Sequence, residues 1–281
     1  MQGNPLVSII VPCYNQEQFI NEALESVYGQ TYTNWECIVM DDGSTDRSEE
    51  IIQQWISKDP RFRYYYKDNG GIVETRNFAI QCTAGEFILP LDGDDKIAPE
   101  YVAEAVNEFV KAPETKLVYC NIIYFGKVNK RAGSPPYSFE TMLYENLIHQ
   151  GAMFRKADYE KTRGYNNNMF EGLEDWDFWL ELLNPEDKVV KLDGFYYHYR
   201  IKDVSRSTLI DKEKNERLIL QLFKNHEEKY LRFFNPVRDH INHLHYKAET
   251  ERLKKSTEYK LGRIITCPFR LISKAVRKVF S

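Results

Sequence analysis

Short, nearly unbroken apolar runs alternate with amphipathic stretches through the first half of the chain. Leu6 to Val11 reads as a strand, Glu17 to Tyr28 as a helix and Trp35 to Met40 as a second strand. Asp46 can accept the unpaired amides of a first turn, so a helix is predicted from there to about Ser57. Arg61 to Tyr66 and Glu86 to Leu91 read as further strands, with a helix over Val73 to Gln81 between them. Pro99, whose fixed φ suits a first helical position, opens a helix to Val110, and Lys116 to Tyr124 closes the series. Strands that are apolar throughout, rather than at alternate positions, are covered on both faces. Interleaved with helices, they predict an α/β fold with a mostly parallel sheet flanked by helices.

The second half is less regular. A turn-rich stretch from Gly126 to Pro136 precedes a short strand at Ala152 to Arg155, a helix from about Asp175 to Leu183 and an aromatic strand from Phe195 to Ile201. From Asp211 to Tyr259 the pattern is helical and highly charged, which reads as a C-terminal helical extension.

Candidate chemistry falls where the strands end. Asp92-Gly93-Asp94-Asp95 follows the apolar run Phe87 to Leu91. Crowded carboxylates repel one another and persist most easily beside a divalent cation, although Asp and Gly also favour a plain turn. Pro12-Cys13-Tyr14-Asn15 and Asp41-Asp42-Gly43-Ser44 also follow strands. Ligands of parallel sheets bind at the carboxyl ends of strands, so the three clusters are expected to form one site.

With 281 residues and 42% apolar content, the chain is long enough for a large α/β domain and an extension. Its five cysteines are odd in number and lack CxxC spacing, against both a disulfide framework and a zinc site. No apolar run approaches the roughly 18 to 20 residues that span a bilayer, and the first residues lack a basic segment before an apolar one. A cytoplasmic location is expected. The net charge of −4 hides an asymmetry: between Arg252 and Ser281 stand nine basic residues and one acid, Glu258. An acidic body with a basic tail suits an anionic surface, and no nucleic-acid-binding motif accompanies it.

Val11 to Asn15, Asp41 to Asp46, Arg76-Asn77, Leu91 to Asp95 and Glu174-Asp175 occur in that order. Together they resemble the inverting family 2 glycosyltransferases of GT-A fold, those of bacterial surface polysaccharides among them, over roughly Pro5 to Ser207. The resemblance implies a GT-A domain over 1–208, with nucleotide-sugar binding in about 1–125 and the acceptor and catalytic part in about 126–208. Residues 209–256 are then a charged helical extension and 257–281 a tail. It further implies a hexosyltransferase-type enzyme that moves a sugar from a nucleotide-sugar donor, UDP favoured, to a glycan or lipid-linked acceptor.

By resemblance, Pro12, Tyr14, Asn15, Asp41 and Asp42 belong to the nucleotide side, with Asp41 accepting a hydrogen bond from the base. Arg76 stands beside the nucleotide, offsetting diphosphate charge or orienting Asp41. Asp92 supports its loop, Asp94 lies near the ribose and the metal, and Asp95 is the firmest ligand for Mn²⁺ or Mg²⁺. Asp175, with Glu174, is the catalytic pair, Asp175 as the base. Trp176 is expected at the floor of the acceptor site, and Trp179 in the core. Arg200 to Ser207, with Arg200 and Arg206, resembles a segment that closes over the donor diphosphate, where many relatives carry a histidine at the position of Lys202. In a plain structural reading, Asp42 merely caps a turn with Gly43.

At 100° per residue, Lys260 to Phe280 separates an apolar half-circle from a basic one, with an interruption at Pro268. Such a segment either lies on an anionic membrane surface, at the cytoplasmic face, or packs on the body or on a second copy of the chain. Two other functions stay open: a catalytically silent nucleotide-sugar binder or membrane adaptor, and a sugar nucleotidyltransferase, which leaves Glu174-Asp175 unexplained. A dehydrogenase is disfavoured because no GxGxxG follows the first strand.

Overall fold

The computed structural model describes residues 4–203, 209–234 and 236–256. The chain divides into two compact units, residues 1–227 and 228–281. The first is a sheet of nine strands: β1 (Val7–Cys13), β2 (Trp35–Asp41), β3 (Phe62–Tyr66), β4 (Phe87–Pro90), β5 (Lys96–Ile97), β6 (Thr115–Gly126), β7 (Lys130–Ala132), β8 (Met153–Arg155) and β9 (Lys188–Ile201). Their order is β3-β2-β1-β4-β8-β6-β9-β5, with β7 pairing β6. The four strands β3, β2, β1 and β4 are parallel, as are β6 and β9, while β8 is wedged antiparallel between β4 and β6.

Every residue of β1, β2 and β4 is buried, as strands covered on both faces require. The covering helices are α1 (Ile20–Tyr28), α2 (Ser48–Lys58), α3 (Ile72–Gln81) and α4 (Tyr101–Lys111). In α1 the buried residues Ile20, Ala23, Leu24 and Val27 follow helical spacing and form one stripe. This helix starts three residues later than its pattern suggests, because the Glu17 amide donates to Asp46 Oδ2 at 2.9 Å. The other Asp46 oxygen accepts from the Ser48 amide at 2.9 Å, so Asp46 satisfies a first-turn N–H of α2 as expected, from one residue before the N-cap, Arg47.

The irregular half contains more structure than its composition suggests. Short helices α5 (Phe139–Met142) and α6 (Lys156–Tyr159) precede and follow β8 in the chain, a 3₁₀ turn comes at Asn167–Met169, and α7 spans Glu174–Leu182. Strand β9 begins at Lys188, seven residues before the aromatic run at Phe195. Asp193-Gly194 has turn composition, yet here the register against β6 shifts and the strand continues past an irregularity. Helix α8 (Lys212–Asn225) follows, and Cys13, Cys37, Cys82 and Cys120 are free thiols.

In the second unit the described part is helical, with α10 at Pro236–Lys255 after α9 (Glu227–Phe233). Among the described residues no helix is long and apolar enough to cross a membrane. The amphipathic segment expected at 257–281 and Cys267 lie outside the described residues.

Candidate active site

Parallel pairing places the ends of β2, β1 and β4 side by side, with Cys13 opposite Asp41 in register. The Asp42 amide donates to Cys13 O at 2.8 Å, fastening the first two clusters together. The third follows β4 directly. They open onto a cleft of about 910 Å³ whose near wall includes Pro12, Tyr14, Asp42, Arg76 and Asp92 to Asp95. Asn146, His149, Gln150, Glu174, Asp175, Tyr197, Arg200 and Lys202 line the rest. The expectation that separate motifs converge is met.

On the nucleotide side, Tyr14 is half exposed in the cleft. Asp41 and Asn15 are not among the lining residues. Asp41 is buried, with Oδ1 accepting from the Ser44 amide and Oδ2 from the Tyr64 hydroxyl, at 2.8 and 2.9 Å. Burial and that carboxylate hold the Tyr64 phenol protonated, well above its ordinary range. Asn15 adopts a positive φ and receives the Thr45 amide, tying the first two loops together. Asp42 accepts from Lys67 Nζ and from the Gly70 and Gly71 amides, so it anchors the turn before α3.

Asp92, Asp94 and Asp95 each offer a carboxylate oxygen, and the three lie within 4.8 Å of one another. Hard oxygen donors so arranged at an open cleft fit Mn²⁺ or Mg²⁺. Asp95 is 2% exposed; its carboxylate accepts from the Tyr197 hydroxyl and the Arg200 amide, both at 2.7 Å. Burial, then the charges of Asp94 and Asp92, push its pKa well above the carboxylate range, a penalty that a bound cation relieves. Lys202 Nζ pairs with Asp94 Oδ2 at 2.5 Å, and Arg200 Nε donates to the Asp94 carbonyl. Tyr197 reaches Asp95 because Gly151 leaves room: a Cβ on Gly151 would stand 2.0 Å from the ring.

The opposite wall is built by the start of α7. Leu173, at φ 58° and ψ 19°, takes a left-handed conformation costly for a branched side chain, and so turns the next two carboxylates to the cleft. Glu174 is buried and pairs with Arg76 Nη1 at 2.7 Å, while Arg76 Nη2 holds Asp92 at 2.8 Å. The guanidinium, 1% exposed, therefore orients the acidic triad and the α7 pair rather than Asp41. Asp175 remains partly exposed, with Oδ2 receiving the Asn146 amide at 3.1 Å and Oδ1 the Trp176 N–H. Burial first and Glu174 second push its pKa up to about 6, against the opposing Arg76 charge. A carboxylate tuned in this way is an effective proton acceptor near neutrality.

Two sequence expectations need correction. Trp176 is buried, and its indole donates to Met142 O at 2.7 Å, so it is a core residue and not an acceptor floor. Arg76, as above, does not orient Asp41. Trp179 packs in the core against Phe154 and Phe178 as expected. Arg206 lies outside the described residues. Sequence reasoning missed Tyr197, Asn146, Lys67 and the α8 contact, in which Asn225 and His226 meet Asp177 behind α7. Their partners lie 25 to 102 residues away in sequence, and only the strand assignment of β9 hinted at any of them.

Residues 8–169 match the model of "Glycosyl transferase family 2". The chain is 34% identical to a chondroitin synthase of Escherichia coli over 182 residues, 63% of this chain and 26% of that protein. It is 30% identical to an uncharacterized glycosyltransferase of Haemophilus influenzae, covering 77% of this chain and 72% of that one. It therefore spans about a quarter of the length of that synthase. Among solved structures, S. aureus TarS 1-349 with UDP-GlcNAc superposes with a TM-score of 0.63 at 22% identity, over 79% of this chain and 69% of that one. A mannosyltransferase from Pyrobaculum calidifontis in complex with GDP-Man and Mn²⁺ gives 0.62 at 19%, over 98% and 87%. These likenesses show a shared GT-A fold. The chain that carries these convergent strand ends, the acidic triad and the α7 carboxylates thus belongs to glycosyl transferase family 2.

Proposed function

We propose that the protein is a metal-dependent, inverting transferase that moves a sugar from a nucleotide-sugar donor, UDP-sugar first, to a hydroxyl of a glycan or lipid-linked acceptor. Surface polysaccharide is the product class we assign. The observation that carries the reading is the placement of Asp175, a carboxylate at the start of α7, in the same cleft as the acidic triad.

Pro12 and Tyr14 line the side proposed for the base, and Asp41 and Asp42 hold the loops that frame it. Asp94 and Asp95 would hold Mn²⁺ or Mg²⁺, which when bound supplies positive charge for the departing diphosphate. Asp175 takes the proton of the acceptor hydroxyl as its oxygen bonds to the anomeric carbon. The bond from that carbon to the diphosphate oxygen breaks, its electron pair leaves with the nucleoside diphosphate, and the centre inverts. Glu174 acts through Arg76, fixing α7 against Asp92. Arg200 holds Asp94 and Asp95 from the end of β9. The basic tail at 257–281 fits peripheral attachment at an anionic cytoplasmic membrane face.

The test is a thermal-shift panel of UDP, GDP, dTDP and CMP, with Mn²⁺ and with EDTA, on wild type and Asp95→Asn. UDP and GDP both belong in it, because the neighbours were solved with nucleotides of each kind. A stabilisation by one nucleotide that needs Mn²⁺ and vanishes in the variant is expected. No shift from any nucleotide at millimolar concentration would sink the donor-site reading.

A further inference from the structure

The acidic triad is already largely neutralised by the protein itself. Asp92 is held by Arg76 at 2.8 Å and Asp94 by Lys202 at 2.5 Å, so two of three carboxylates carry a protein cation. Asp95 receives only neutral donors, the Tyr197 hydroxyl and the Arg200 amide. The two cations differ in freedom. Arg76 is buried inside α3 and is also gripped by Glu174, with side-chain exposures of 1% and 3%. Lys202 stands on a flexible stem just past the end of β9, is 24% exposed, and lines the open cleft. Its other described contact is the Phe19 ring, with the ammonium 5.1 Å from the centroid. A divalent cation settling on Asp94 would meet that ammonium at contact distance, and two cations sharing one carboxylate repel.

We propose that Lys202 is a resident counter-cation of this site: it competes with the divalent cation for Asp94, and moves to the donor diphosphate when metal and nucleotide enter together. The inference rests on the donor-site reading above and adds a role that the reading does not contain. A strongly hydrated point charge on a four-carbon stem suits such an exchange, since it can follow a phosphate without the fixed fork that an arginine needs. The consequence is thermodynamic coupling. Metal alone must break the Lys202–Asp94 pair, whereas metal with a diphosphate gives the displaced ammonium a new anionic partner. Each ligand then tightens the other by the same factor.

The experiment titrates Mn²⁺ alone into wild type, Lys202→Met and Lys202→Arg, following free Mn²⁺ by electron paramagnetic resonance. UDP is then titrated calorimetrically in excess Mn²⁺. Couplings of this kind are typically about 5- to 150-fold, so Lys202→Met is expected to bind Mn²⁺ alone at least about fivefold more tightly and UDP at least about fivefold more weakly. Lys202→Arg, which keeps the charge, should stay near wild type for Mn²⁺ alone. Lys161→Met, which removes an exposed lysine paired with Asp158 outside the cleft, should change neither. Mn²⁺ binding by Lys202→Met that is as weak as in wild type, or weaker, overturns the proposal while leaving the metal site standing. Failure of every variant to bind Mn²⁺, with or without UDP, overturns the underlying donor-site reading as well.

Discussion

Asp175 bears two opposing demands, and they can be separated by measurement. Its folded pKa of about 6 lies above the ordinary 3.8, so the folded state holds the proton more tightly than the unfolded state does. Its contribution to stability therefore falls as pH rises from about 3.8 through 6, and at pH 7 the ionised group costs stability. Asp175→Asn removes that charge and retains an oxygen for the Trp176 or Asn146 donor. The variant is expected to melt at the same temperature as wild type or higher, while transfer falls about 10²- to 10⁴-fold, the usual worth of a general base. Differential scanning calorimetry and initial rates check the two halves. In wild type, kcat/KM should rise with pH up to about 6 and then level off. Asn146→Ala deletes a donor that favours the ionised form, so it should move that break upward. A flat profile from pH 5 to 8 with unchanged rate in Asp175→Asn would exclude this carboxylate as the base.

At the scale of elements, the site depends on β9 reaching the loop after β4, and that depends on one glycine. Gly151 is pinned from behind, its carbonyl accepting from the Tyr101 hydroxyl at 2.7 Å, so the backbone has little room to retreat from the Tyr197 ring. Gly151→Ala should cost about 1–3 kcal/mol by overpacking and weaken the metal-dependent nucleotide shift, because Tyr197 withdraws from Asp95. Tyr197→Phe keeps the ring and removes the hydroxyl shared by Asp95 and Gln150; an unsatisfied buried group costs a similar amount. Chemical denaturation with the nucleotide panel reads both effects, and wild-type behaviour of Gly151→Ala would refute the packing argument. These same elements mark where sequence was readable. Buried parallel strands declare themselves through unbroken apolar runs, so β1, β2 and β4 and the acidic motifs at their ends were legible. Tyr197 was not, since nothing local distinguishes it from its aromatic neighbours Tyr196 and Tyr199. Trp176 misled because a tryptophan beside a catalytic pair has the same composition whether it faces a ligand or donates to Met142 O. Arg76 was located but assigned the wrong partner, as its true ones sit 16 and 98 residues away.

For the whole molecule, charge is distributed in a way that the site does not require. The catalytic unit folds around an acidic cleft, yet the last thirty residues carry nine basic side chains and one acid. Six of these, Lys260, Arg263, Arg270, Lys274, Arg277 and Lys278, fall after residue 257 and opposite the apolar positions of the helical wheel. At about 1 kcal/mol for each basic residue near anionic lipid, six of them supply several kcal/mol before screening, and the apolar half-circle adds to this. A chain lacking 257–281 should then lose cosedimentation with vesicles containing phosphatidylserine and retain its nucleotide-dependent thermal shift. Binding by the full chain should weaken as salt rises, since the Debye length falls from about 10 Å at 0.1 M to about 3 Å at 1 M. If cosedimentation survives the deletion, the segment is instead a packing element, and the truncated chain should show it as a lower melting temperature or a changed oligomeric state. The two outcomes differ in what they mean for the reaction. A tail held on lipid confines the enzyme to two dimensions with a lipid-linked acceptor, whereas a tail packed on protein leaves acceptor recognition to the cleft between Asp175 and the irregular segment before α7.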